Sequence, residues 1–372
     1  MTLLSRGPAP MDLPAQTQSE ATAVTAATAA TPGEPGSPQR PPARATQDAA
    51  QRRAGLLRIA VLSVAAVALA VLLLVYDNPM EAGSAGFWQI LQMRGITVGT
   101  IVVVAFCQAV ATVIFHTATG NRILTPSIMG FEALYRVIQT ALVFVLGAGA
   151  LAATDGVVQV LVQSAIMVGF AVLLYGWLFS GRFANMHVML LIGVVLGIGF
   201  GSVATFMQRL LTPSEFDVLA ARLFGNIANS NPAYLPWGIG IAAAMGVLVW
   251  RKRHQFDVLG LGRDTAINLG VNHRSEVIKT LVIVAVLISI STSMVGPMTF
   301  FGFIVATIAY QVSRSQHHAY VLPTAALIAV VTLLGSYFVL RHVFYAAGMV
   351  TVIIELAGGL FFLIYLLRKG SL

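Results

Sequence analysis

About ten apolar runs follow one another along the chain, at 56–75, 95–115, 127–150, 157–178, 188–207, 234–250, 277–294, 300–313, 322–340 and 348–367. Most are long enough to cross some 30 Å of hydrocarbon as a helix, the runs at 234–250 and 300–313 being the shortest. The pattern predicts an all-α polytopic membrane protein with about ten transmembrane helices. The polar positions between the runs sort by charge. Arg52, Arg53, Arg58, His116, Arg122, Arg182, the stretch from Arg251 to Lys279, Arg314, Arg368 and Lys369 fall on one side of the predicted bundle. Arg94, Arg209, Arg222 and Arg341 fall on the other. The side richer in Lys and Arg faces the cytoplasm, so both termini are expected there.

The longest basic interruption, 251–276, reads RKRHQFDVLGLGRDTAINLGVNHRSE. It lies in water between two spans and predicts a short helix over Asp264–Leu269. Asp264 caps it, Ala266, Ile267 and Leu269 give a small apolar face, and Gly270 ends it. A helix presented this way suggests a docking surface. Residues 1–54 are rich in Ala, Thr, Pro, Gln and Ser without apolar period, which predicts a disordered cytoplasmic tail ahead of a transmembrane domain at 55–372. Met1–Leu4 is too short for a signal-peptide core. On the opposite side of the membrane, PSEFDVLAARLFG places Phe216, Leu219, Leu223 and Phe224 on one face, which fits an interfacial helix or a plain connector.

Composition agrees with a membrane protein: 57% of residues are hydrophobic, 10% are charged and the mean hydropathy is +0.83. The net charge of +8 would suit nucleic acid, but its residues lie in short loops beside spans, so topology accounts for it. One cysteine, Cys107, excludes an internal disulfide. The histidines are scattered at loop and span ends, with neither H-E-x-x-H nor Cys-His spacing, and no phosphate-binding Walker loop is present. No metal site, cofactor or catalytic set is therefore expected in this chain, and any ATP it depends on must be hydrolysed by another.

LGLGRDTAINLGV, followed by an apolar helix and VGPMTFFGFIVATIA, resembles the permease subunits of ABC importers for iron-siderophores and cobalamin. The similarity runs over about Gly86–Leu367 and includes LLIGVVLGIGFGS and NRILTPSIMG, in which Asn121, Pro126 and Gly130 match the family's loop. Arg122 and Thr97 depart from it, standing where the family often has Pro and a second Arg. The resemblance implies a type II importer permease in the inner membrane. Its partners would be an ABC ATPase subunit, a solute-binding lipoprotein, membrane lipid and a second permease chain, identical or homologous. Its cargo would be a ferric siderophore, and NRILTPSIMGFEALY looks most like the catecholate-siderophore branch. ATPase coupling would fall on Gly262, Asp264, Ala266, Leu269, Gly270 and Val271.

The same resemblance places binding-protein docking at Arg94 and Arg341; snorkelling to the interface is the plainer reading of either. Glu132 and Arg136, four apart, can pair on one helix face or line a path for an anionic chelate. Glu355 stands alone in the last run and needs a proton, a partner helix or water. Gly296 and Pro297 break a hydrophobic stretch ahead of Phe300, Phe301 and Gly302, which fits a broken helix beside a transport path or a simple turn. Gln108, Gln139 and Gln163 can either join helices or line a pathway. An ion-coupled secondary transporter using Glu355, Glu132 and Arg136 is the alternative function.

Overall fold

The computed structural model describes residues 43–153, 156–180, 186–223, 227, 231–344 and 350–369. They fold into helices: α1 Ala43–Val75, α2 Ala85–Thr119, α3 Phe131–Ala153, α4 Val157–Ser180, α5 Met186–Gln208, α6 Pro213–Leu223, α7 Tyr234–Arg251, α8 Arg253–Leu259, α9 Arg263–Asn268, α10 His273–Val295, α11 Phe301–Ser313, α12 His318–His342 and α13 Val350–Lys369. Each predicted run has its body on one of these helices. Seven are long and apolar enough to cross a membrane (α1, α2, α4, α5, α7, α10, α12), and Phe301–Ser313 and Ile354–Ile364 are shorter apolar helices. The helix α1 begins at Ala43, ahead of the expected boundary at 55, because the Ala-, Gln- and Arg-rich stretch before the apolar run is itself helix-forming. The rest of the predicted tail, 1–42, lies outside the described residues.

The helix α2 is the axis of the bundle. It packs on α10, α12, α11 and α7, while α3 packs on α5 and α4 on α10. Burial follows that order: 78% of the most apolar window of α2 and 72% of that of α10 are buried, against 11% for α1, whose Leu56, Leu57, Val61, Val64 and Val67 point outward. A helix apolar on every side is stable either inside a bundle or against lipid, and neighbours decide which.

Small residues set the closest approaches. Gly130, at φ 94°, lies where a Cβ would come within 3.2 Å of the Gly197 Cα, so the turn before α3 seats directly on the backbone of α5. Gln139 donates to Gln163 at 2.8 Å and ties α3 to α4. In α6, Thr212 donates its backbone N–H and hydroxyl to Glu215, a capping box in which those hydrogen bonds hold the Glu215 carboxyl below the usual range. Of the face expected there, Leu219 is buried, Phe216 is exposed and Phe224 lies outside the described residues.

Candidate functional site: the α8–α9 segment and the α10–α11 break

The segment between α7 and α10 is pinned at its base. Lys252 Nζ lies 2.6 Å from Glu276, which also takes Lys279 at 2.9 Å, so the two ends of the excursion are held by one carboxylate. Between them, α9 starts after Gly262, and Asp264 stands inside the first turn rather than at the cap. That corrects the sequence expectation: the left-handed backbone at Gly262 begins the turn, and Asp264 contributes its charge to the positive end of the helix. The C-terminus is as expected. Gly270, at φ 81°, donates to the Ile267 carbonyl and Val271 donates to that of Ala266, a Schellman closure that a residue with a Cβ would strain.

The apolar residues of α9 do not share one face. Ala266 is fully buried, whereas Ile267 and Leu269 are 49% and 59% exposed, as is Leu261 at 60%. Three large apolar side chains thus stand in the open on a loop otherwise studded with charge. Such a patch has no use within the chain, and a partner that covers it gains about 1.5–3 kcal/mol per fully buried side chain.

On α8, Asp257 is held by α12. Its Oδ1 accepts the His318 backbone N–H at 2.7 Å and lies 2.7 Å from His318 Nδ1, with His317 at 3.6 Å and His254 at 3.9 Å from Oδ2. Burial pushes the Asp257 carboxyl up, but the hydrogen bonds from His318 outweigh it and hold the carboxyl below its usual range. Arg58 donates to the Ser313 carbonyl at 3.1 Å and Arg122 sits 4.5 Å over the Tyr310 ring. Arg58 and Arg122 thus both pack on the C-terminal part of α11 and the residues just after it; Arg182 lies outside the described residues.

At the opposite end of the bundle, Arg94 is buried, and its guanidinium donates to the carbonyls of Leu73, Leu74, Tyr76 and Asp77 at 2.6–3.3 Å. The last carbonyls of a helix have no partner within it, and these are the exit of α1. Arg94 is thus a cap for α1, buried where the resemblance had placed a docking group, whereas Arg341 is exposed at the end of α12. Arg94→Ala strands those carbonyls and lowers stability by about 3 kcal/mol, read as a fall in Tm in detergent, with Arg94→Lys intermediate.

The α10–α11 break is where the pathway candidates meet. Gly296, at φ 91°, closes α10, and the turn through Pro297, Met298, Thr299 and Phe300 opens α11. Glu132 turns into this break, accepting the Met298 N–H at 2.9 Å and the Thr299 hydroxyl at 2.5 Å. Glu355 of α13 reaches the Phe300 N–H at 3.4 Å. Glu132 and Arg136 do not form an ion pair among the described residues; Glu132 is 1% exposed while Arg136 faces outward. The expected pairing is corrected because two backbone-anchored donors lie nearer to Glu132 than the guanidinium on its own helix.

Phe301 is fully buried, and a Cβ on Gly302 would collide with Thr112, so Gly302 lets α11 approach α2 closely. Phe300 seats in the Gly358–Gly359 notch of α13. The residues that sequence alone did not single out are Asp257, His318, Thr117 and the Lys252–Glu276 pair. Their separations of 24 to 201 positions leave no local signal.

A model of the FecCD transport family matches residues 54–369. A petrobactin import system permease protein of Bacillus anthracis is 45% identical over 300 residues, covering 81% of this chain and 85% of that protein. A petrobactin import system permease protein of Bacillus subtilis is 36% identical, covering 85% of this chain and 98% of that one. A solved structure described as an inward-facing metal-chelate type ABC transporter superimposes with TM-score 0.70 at 19% identity, over 84% of this chain and 99% of the other.

Proposed function

Because the chain belongs to the FecCD transport family and is a multi-pass membrane transport subunit, we propose that it carries a ferric siderophore across the inner (cytoplasmic) membrane as the permease of an ABC importer. The observation that carries this reading is the α8–α9 segment: its ends are held together by Lys252 and Glu276, and in and beside α9 it keeps Leu261, Ile267 and Leu269 out of any core. A separate ATPase subunit docks there. That subunit binds and hydrolyses ATP, and this chain holds no cofactor of its own. A solute-binding lipoprotein delivers the chelate at the opposite end, where Arg341 is exposed. A second permease chain, identical or homologous, completes the path, and the outward faces of helices such as α1 meet lipid. Both termini lie in the cytoplasm, with the basic end of the bundle.

The two petrobactin permeases among the relatives make the ferric petrobactin complex the first cargo to test. The experiment is uptake of radiolabelled ferric petrobactin by cells that lack their own permease, with and without the cognate ATPase. Uptake that requires both chains is the expected result. Uptake that persists without the ATPase and disappears in Glu355→Gln overturns the proposal in favour of ion coupling.

A further inference from the structure

His318 stands at a junction of three helices. Toward α8 it meets Asp257, whose Oδ1 lies 2.7 Å from both its backbone nitrogen and its Nδ1. An ionised carboxylate can only accept, so Nδ1 carries the proton that faces it. Toward α2, Nε2 lies 2.7 Å from Thr117 Oγ1, closer than the Val113 carbonyl that the same hydroxyl reaches at 3.1 Å. In the neutral ring Nε2 is then the acceptor of the Thr117 hydroxyl. The ring is buried and lies 5.7 Å from that of Phe256, itself 1% exposed, which fixes its plane.

The chain Asp257–His318–Thr117 therefore runs from α8 through the first turn of α12 into the last turns of α2, the axis of the bundle. It borders a cavity of about 330 Å³ between α8, α2 and α12, where Arg122, Tyr310 and Gln316 supply the facing wall. Buried Phe256 and Leu259 seat α8 by close packing, and the hydrogen bonds at His318 add a directed tie that weakens steeply with misalignment. The segment that would move with an ATPase is tied to α8: α9 packs on α8, and the turn between them is closed by bonds from Leu261 and Gly262 to Val258 and Leu259. A displacement of α9 must carry α8 with it. To leave α2 and α12 behind, it would have to break the tie at His318.

We infer that Asp257, His318 and Thr117 form a strut that passes movement of the α8–α9 segment into α2 and α12, and so act as positioning residues for ATP-driven transport. This rests on the reading that the ATPase docks on α9. The strut has a part the docking patch lacks: its residues are not on the exposed face, so altering them leaves the contact with the ATPase in place while changing what that contact moves.

The test uses proteoliposomes holding the permease, its ATPase and its binding protein, with ferric petrobactin and ATP. Three quantities are read for each variant: ATPase retained on purification, ATP hydrolysed, and chelate imported per ATP. Thr117→Val keeps the shape of the side chain and removes the hydroxyl; Thr117→Ser keeps the hydroxyl. Expected is a loss of about tenfold in import per ATP in Thr117→Val and Asp257→Asn, with the ATPase still bound, and a Thr117→Ser complex close to the parent. Import per ATP unchanged in Thr117→Val, or lowered equally in Thr117→Ser, overturns the strut. So does loss of the ATPase from Thr117→Val, which would make these residues part of assembly. Failure of the docking reading is seen elsewhere, in ATPase retained by a chain whose α9 patch has been made polar. Should Asp257→Asn fail to insert, the two Thr117 variants decide the matter.

Discussion

Replacing Leu269 by Asp and Gly270 by Arg abolishes ATP-driven uptake and removes the ATPase from the purified complex, while the chain still inserts in the membrane. Two effects add. Leu269 is 59% exposed, so its substitution costs the isolated chain little; its cost appears only against a partner, where burial of a leucine is worth about 1.5–3 kcal/mol and an aspartate adds a desolvation penalty. Gly270 holds φ 81° in the closing turn, and a residue with a Cβ pays about 1–2 kcal/mol there, which loosens the end of α9. Together these amount to about 3–5 kcal/mol, a weakening of roughly a hundred- to several-thousandfold. Co-purification of the ATPase and chelate uptake are measured on the same preparation. A variant that keeps both would remove α9 from the coupling site.

Glu132→Ala produces the second large effect, this time inside the bundle. The carboxylate is the acceptor for the Met298 N–H and the Thr299 hydroxyl in the break between α10 and α11. Irregular backbone at membrane depth survives only where protein satisfies its polar groups. With the carboxylate gone, each stranded donor costs about 1–3 kcal/mol, and the start of α11 loses its anchor. A fall in Tm in detergent and loss of uptake are expected together. Glu132→Gln, which retains one carbonyl acceptor, should lie between the parent and Glu132→Ala. An alanine variant with the parent's Tm would show that the break is held by packing of Phe301 and Met298 alone.

These two sites differ in how far the sequence announced them. The helix α9 was legible because everything that makes it is local: a polar stretch between spans, a glycine positioned to close a turn, and apolar residues where a water-exposed loop has no need of them. The detail that failed was the face. Six residues make fewer than two turns, and which of Ala266, Ile267 and Leu269 turns inward depends on where α8 lies, which spacing does not encode.

Arg94 and Glu132 show the same limit. From sequence, an arginine at a span edge invites a partner outside and a carboxylate invites an arginine four residues on. In the structure both turn instead to groups that end or begin another helix, Arg94 to the carbonyls at Leu73–Asp77 and Glu132 to the Met298 N–H and the Thr299 hydroxyl. The demand came from unpaired carbonyls and N–H groups in apolar surroundings, and only the packed bundle shows which of these groups lack a partner.

What the sequence determined by itself is the number and placing of the apolar runs, the aqueous loop at 251–276 and the break at Gly296–Pro297. All follow from hydropathy and backbone preference, which act over a few residues. The tertiary structure alone decided that α2 is the axis and α1 the periphery, that Arg94 caps a helix, and that Asp257, His318 and Thr117 meet. Those outcomes depend on which helix is beside which, and in a chain apolar on nearly every face the choice of neighbour is made by close packing of small residues and by directed hydrogen bonds.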